Sequence, residues 1–193
     1  DAKKIMVILD DEQNSAGRSL FRIIGATLAI ESIGAVLLYH GLHNEIADPL
    51  KRSYFALYHS VSGFCNAGFG LYADSLCRFR ADTLIILTMS GLITLGGIGM
   101  PVIFGSPGAV ANMLRGRFSE IPAHWKTVVF INTFMIVAGT ILFFLLAGPG
   151  FMEAFTFKEK LLSSLFYTIT TRTCGFISID LAGLSVLLTS LSV

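Results

Sequence analysis

Charge is scarce in this chain. Only 14% of its 193 residues are Asp, Glu, Lys or Arg, against roughly a quarter in soluble domains. Together with 53% hydrophobic residues and a mean hydropathy of +0.71, this deficit excludes an ordinary soluble domain and reads as an integral membrane protein. The net charge is only +1, and no basic cluster interleaved with aromatics points to nucleic acid. Cysteine is rare too. Cys65, Cys77 and Cys174 show no CxxC or Cys/His spacing, so they read as free thiols rather than metal ligands. Convergent polar groups of the kind an enzyme needs are also missing. Glu31 and His59 come closest, but they fall on different expected elements, so no catalytic residue is assigned. The chain opens on Asp1 and closes on the apolar run Leu184–Val193, about half the ~20 residues of a spanning helix. The expectation is a fragment of a longer polypeptide.

What is present is long apolar segments alternating with short ones. Residues 1–18 are largely polar and predict a solvated loop, the cytosolic segment 1–19. Leu20–Tyr39 predicts a first spanning helix, with Arg22 near its start and Glu31 near its middle. Ser53–Gly63 is too short to cross. Thr83–Phe104 predicts a second spanning helix that ends in Gly96-Gly97-Ile98-Gly99-Met100-Pro101. Residues 105–126 predict a mostly polar cytosolic linker. Val128–Leu146 predicts a third spanning helix, Leu161–Thr171 a second half-length helix, and Leu184 the start of a fourth span.

Each half-length helix runs into a glycine motif: Phe64-Cys65-Asn66-Ala67-Gly68-Phe69 and Thr171-Arg172-Thr173-Cys174-Gly175-Phe176. Non-helical backbone at membrane depth is tolerated where it is buried in protein or lines a water-filled cavity. Glycine lets backbone carbonyls, rather than side chains, face a permeating ion. The order span, half helix, glycine strip, span is therefore the expected repeat. It predicts an all-α integral membrane fold of helix–pore-loop–helix units, one complete over 20–104 and a second, truncated one over 127–193. The competing reading of one glycine motif is close packing between helices, and two copies in the same setting favour the pore. Glu31 is read as a structural hydrogen-bonding group against a half helix. His59 is read as a satisfied buried histidine. Arg172 is expected to point away from the strip and pair with a carboxylate, Asp180 being the candidate in this chain. The Gly96–Pro101 stretch reads as a helix end in preference to a gating hinge. Lys and Arg divide evenly between the two predicted faces, so the positive-inside rule does not orient the chain.

These motifs resemble the TrkH/TrkG/KtrB potassium-uptake proteins, relatives of the plant HKT transporters. His59 to Phe69 is similar to the second pore loop of that family. Gly96 to Ile103 is similar to the end of the same unit's second helix. Ser164 to Phe176, followed by Ile179-Asp180, is similar to the third pore loop, and Glu31-Ser32-Ile33-Gly34-Ala35 fits the first helix of the second unit. The resemblance implies potassium uptake through a pore of four such units. Asn66, Ala67, Gly68, Thr173, Cys174 and Gly175 would supply potassium-binding filter carbonyls, with Phe69, Phe176 and Arg172 as support. It implies potassium as the permeant ion, with no organic cofactor and no other metal. It also implies a homodimer in the cell (inner) membrane, multi-pass, with a cytosolic nucleotide-binding ring of TrkA/KtrA type. Glycine at both visible filter positions leans toward potassium over sodium. The rival reading is a non-conducting membrane scaffold or accessory subunit built on a degenerate pore fold.

Overall fold

The computed structural model describes residues 2–147 and 152–179, with side chains described from Gly17 onward. Among the described residues every regular element is helical: α1 (Ala2–Gly41), α2 (Pro49–Phe64), α3 (Thr83–Ile98), α4 (Met100–Leu114), α5 (Ala123–Ala147) and α6 (Phe157–Thr173), with single 3-10 turns at Leu42–Asn44, Cys77–Phe79 and Phe118–Glu120. The expected fourth span from Leu184 lies outside the described residues.

Two helices are long and apolar enough to cross a bilayer, Gly17–Asn44 with 28 residues and Ala123–Ala147 with 25. At 1.5 Å per residue they measure about 42 and about 37 Å, beyond the ~30 Å of a hydrocarbon core. Their apolar surface faces outward. Phe21, Leu28 and Ile33 of α1, and Phe130, Phe134 and Leu146 of α5, are exposed. The half-length helices are the reverse. α2 buries His59, Ser60 and Ser62, and α6 buries Ser163, Ser164, Thr168 and Thr170. Polar side chains packed inside and apolar ones outside are what a lipid solvent selects. α3 sits at the centre: α1, α2 and α6 all pack on it, while α5 packs on α6. The core is built around Leu38, Ile85, Ile86, Met89, Ile93, Phe166 and Phe176.

Three expectations need correction. Residues 2–16 are helical rather than a loop and continue α1; no glycine or proline interrupts the chain before Gly17, so nothing stops the helix. Thr83–Phe104 is not one span. The chain bends by 103° between α3 and α4 at Gly99, whose φ of +93° a side-chain-bearing residue rarely adopts. α3 therefore ends where a helix end was expected. Pro101, however, stands in the first turn of α4, where its missing N–H costs nothing, instead of acting as a stop. Finally, α4 takes up the first part of the stretch expected to be a polar linker. Its sequence Met100–Leu114 contains no charged residue; the charges begin at Arg115.

The helix starts are written locally. Asp48 caps α2, its side chain accepting from the Leu50 N–H at 3.0 Å, with Pro49 next. Asp82 caps α3 by accepting from the Ile85 N–H at 3.1 Å. These signals set α2 four residues earlier than the apolar run implied. Thr156 and Glu159 form a reciprocal capping box at α6, and hydrogen bonds from the Thr156 N–H and hydroxyl hold the Glu159 carboxyl below the usual range. A depressed carboxyl supplies stability that is complete above its unfolded value of 4.5 and is lost as pH falls through the lower folded value. Thr156→Ala is expected to destabilise α6 by about 1 kcal/mol. In thermal melts of detergent-solubilised protein, the gap between wild type and variant should shrink as pH falls below that value; a gap independent of pH would show that Glu159 takes no part.

Loops on the α6 N-terminal side tie the two halves together. Arg78 bridges Glu45 at 2.7 Å and Asp74 at 2.9 Å, with its guanidinium over the Tyr72 ring. Arg78 holds the Asp74 carboxyl low, while burial and the neighbouring Glu45 push the Tyr72 hydroxyl up to about 12. Arg80 reaches Glu159 at 3.6 Å and lies over Phe155. Such exposed pairs contribute little individually, and their role is to set the loop's path.

Candidate functional site

The two glycine strips lie side by side. α2 unwinds after Phe64 through a last helical bond from Cys65 N to Val61 O (2.9 Å), a tighter one from Asn66 N to Gly63 O (3.1 Å) and a wider one from Ala67 N to Ser62 O (2.9 Å). α6 unwinds in a similar way, with Cys174 N and Gly175 N both donating to Thr170 O at 3.0 Å. Positive φ then turns each strip: +54° at Asn66, +73° at Gly68 and +91° at Gly175. Just beyond each glycine, a hydroxyl from the helix catches a backbone carbonyl. The Ser62 hydroxyl donates to Phe69 O at 2.8 Å, and the Thr170 hydroxyl donates to Phe176 O at 2.9 Å. Each strip is thus pinned to its own helix end. Both helices also direct the negative ends of their dipoles at the strip region, a field that favours a cation.

Between strips the contacts are direct. A Cβ on Gly68 would run into the Cys174 carbonyl oxygen, whereas one on Gly175 would meet open space. The Asn66 amide is oriented so that its nitrogen donates to the Thr173 hydroxyl at 2.8 Å and to Ile93 O at 3.3 Å, while its oxygen accepts from Gly97 N–H at 3.2 Å. One side chain therefore joins both strips to the end of α3. Gly96, one residue before that N–H donor, lies so close to the Phe64 carbonyl that a Cβ would overlap it. Further along, Leu76 N donates to Ile177 O at 2.8 Å, and Ile177 N donates to the Ser75 hydroxyl at 3.1 Å. The loop after the first strip thus fastens the residues after the second.

Of the nine residues expected at the site, Asn66, Gly68, Thr173 and Cys174 are brought together by these contacts, with Gly175 next to Cys174. Ala67 is exposed on the first strip. The two phenylalanines differ. Phe176 is buried, stacked on His59 at 6.3 Å, whereas Phe69 is 71% exposed. Arg172 does not pair with a carboxylate among the described residues; its guanidinium donates to Asn132 Oδ1 of α5 at 2.7 Å. The expected partner Asp180 lies outside the described residues. The Arg172 side chain is otherwise exposed among the described residues. His59 is satisfied on both nitrogens: Nδ1–H donates to Phe55 O at 2.8 Å and Nε2 accepts from Leu71 N–H at 3.4 Å. Glu31 is buried, its backbone carbonyl accepting from the Ser60 hydroxyl at 2.6 Å and its carboxylate facing the Cys65 thiol at 3.9 Å, at the end of α2.

Sequence reasoning missed Ser62, Thr170 and Ser75. The hydroxyls of Ser62 and Thr170 sit six or seven residues before the carbonyl they hold, a spacing with no helical signature. The α3 end contribution was visible only as a glycine cluster.

A family model described as a cation transport protein, TrkH, matches residues 8–191 of the chain. The chain belongs to the TrkH family. Within it, the chain is 34% identical over 173 residues to the Ktr system potassium uptake protein B of Vibrio alginolyticus, covering 89% of this chain and 37% of that protein. It is 31% identical over 171 residues to the potassium/sodium uptake protein NtpJ of Enterococcus hirae, covering 88% and 36%. It is 30% identical over 156 residues to the Ktr system potassium uptake protein B of Bacillus subtilis, covering 80% and 34%. The chain thus spans little more than a third of the length of these TrkH-family relatives. Both glycine strips fall inside the matched region.

Proposed function

We propose that this chain is part of a potassium-uptake pore in which its two glycine strips supply carbonyls to the ion. The observation that carries this reading is the contact between strips: Gly68 lies against the Cys174 carbonyl at the junction of two dipole-aligned half-length helices. In this reading, residues 20–104 form one helix–pore-loop–helix unit and 127–193 begin a second. Asn66, Ala67, Gly68, Thr173, Cys174 and Gly175 present carbonyls that replace potassium's hydration shell. Phe176 wedges the second strip against His59 from behind. Phe69 follows the first strip's glycine as Phe176 follows the second's, but it is exposed in this chain. Arg172 is held on α5 by Asn132, away from the ion path. The potassium and potassium/sodium uptake named in the relatives supports a monovalent cation as cargo and a transporter rather than an enzyme. The assembly is a homodimer in the cell membrane, multi-pass, regulated by a cytosolic nucleotide-binding ring.

The test is growth and ion uptake. The full-length protein, produced in cells lacking other potassium-uptake systems, is expected to restore growth at low potassium and to take up rubidium tracer. A correctly inserted, stable protein that gives neither is the outcome a non-conducting scaffold predicts, and it would overturn the pore reading.

A further inference from the structure

A groove opens between α1 and α4. It has a volume of about 640 Å³ and is lined by Arg22, Ile23 and Ala26 from α1 and by Met100, Pro101 and Phe104 from α4. It lies at the corner where α4 swings 103° off the axis of α3. The lining is apolar apart from Arg22 and Ser19.

Arg22 is exposed, and no carboxylate pairs with it among the described residues. It lies five residues into the span Gly17–Asn44. That span is about 42 Å long, enough to cross the headgroup layers as well as the hydrocarbon. Its first turns therefore stand at headgroup level, and a guanidinium there reaches phosphate by snorkelling. Glu31, beside the end of α2, is about 14 Å further along the same helix. The groove's flanks are apolar and exposed, as contact with lipid requires: Phe21 and Ile24 beside Arg22, and Phe104 on α4. An anionic group at the mouth and an apolar chain along the floor describe one ligand class.

We propose that this groove binds an anionic phospholipid, with its phosphate on Arg22 and an acyl chain against Ala26, Pro101 and Phe104. Basic pockets between membrane helices bind such headgroups, and a cation near an anionic membrane surface contributes about 1 kcal/mol. The proposal rests on reading α1 as a bilayer span and is independent of which ion permeates.

The test uses the purified full-length protein, delipidated in detergent, with phosphatidylglycerol and phosphatidylcholine as probes. Native mass spectrometry should show phosphatidylglycerol retained in preference to phosphatidylcholine. Arg22→Gln should lower that preference about fivefold, the equivalent of the ~1 kcal/mol for one surface cation. Arg22→Lys should keep most of it, because the charge remains. Ala26→Trp should weaken retention of both lipids by filling the floor. Unchanged preference in Arg22→Gln would overturn the proposal. Ala26→Cys, in protein whose free cysteines Cys65, Cys77 and Cys174 are replaced by Ser, keeps the test open if the arginine variants fold poorly. Maleimide labelling at that position should be fast without lipid and slowed by phosphatidylglycerol more than by phosphatidylcholine. Slow labelling without any lipid would mean that a protein segment covers the groove, and would equally overturn the proposal. Rubidium uptake, measured in parallel, reports on the pore reading separately.

Discussion

Full-length protein carrying Gly68→Ala is expected to lose about tenfold in its preference for potassium over sodium, equivalent to about 1.4 kcal/mol. Two effects act together. A φ of +73° is costly for any residue with a Cβ, by about 1–2 kcal/mol. The new methyl group would also overlap the Cys174 carbonyl oxygen on the neighbouring strip, so either that carbonyl or the first strip must move. In the proposed pore, carbonyls matched to potassium would lose more for potassium than for sodium when one is displaced. Gly175→Ala meets only the first effect, since its φ of +91° is unfavourable but the space around it is open; its loss should be smaller. Gly91→Ala on α3, with nothing within 4 Å of the added carbon, is the control and should leave the ratio alone. Relative rubidium and sodium uptake in cells lacking other potassium systems measures all three. A Gly68→Ala protein with the wild-type ratio would reduce the strips to packing elements.

Gly96→Ala is expected to act on stability. The added carbon would overlap the Phe64 carbonyl at the end of α2, and backbone cannot rotate aside as a side chain can. Separating α2 from α3 also stretches the Asn66 bridge to Gly97 N and Ile93 O. Overpacking of this kind costs about 1–3 kcal/mol, and the lost bridge adds about 1 kcal/mol. The neighbouring Gly97→Ala meets its nearest atom, on Thr173, at 3.9 Å and should be nearly neutral. Thermal unfolding in detergent should separate the two variants clearly. Equal melting temperatures would mean that α2 and α3 are not in register as described.

Much of the helical order was legible because apolar runs and caps are local. The starts of α2 and α6 were each placed four residues late, because the apolar runs from Ser53 and Leu161 were followed rather than the caps Asp48-Pro49 and Thr156 with Glu159. The bend at Gly99 was not legible. A glycine-proline cluster is equally compatible with a helix end and with a turn between two helices, and nothing local fixes the angle. The α1 extension through 2–16 was missed because polarity was taken as a loop signal, although helix-breaking residues are absent there. At the site, glycine and its neighbours marked where the backbone leaves the helix. The clamp from Ser62 to Phe69 O and the bridge from Asn66 to Gly97 depend on how strips and helices meet in space, and no periodicity encodes that. The contact of Arg172 with Asn132 joins residues 40 apart on two helices, and no local pattern encodes it; the carboxylate expected beside Arg172, Asp180, lies outside the described residues.

The bond from Leu76 N to Ile177 O has a consequence in time. Its two ends are about a hundred residues apart, and synthesis at ~5–20 residues per second separates them by roughly ten seconds. During that interval α1, α2 and α3 are already made, yet the Leu76 donor and the Ser75 hydroxyl have no mate from the second strip, and Asn66 waits for Thr173 in the same way. The first half of the chain therefore cannot reach its final form as it emerges. It must stay soft and unaggregated until the second half arrives to lock it. Chaperone dependence and proteolytic loss should concentrate in that window of biogenesis, not in the finished protein.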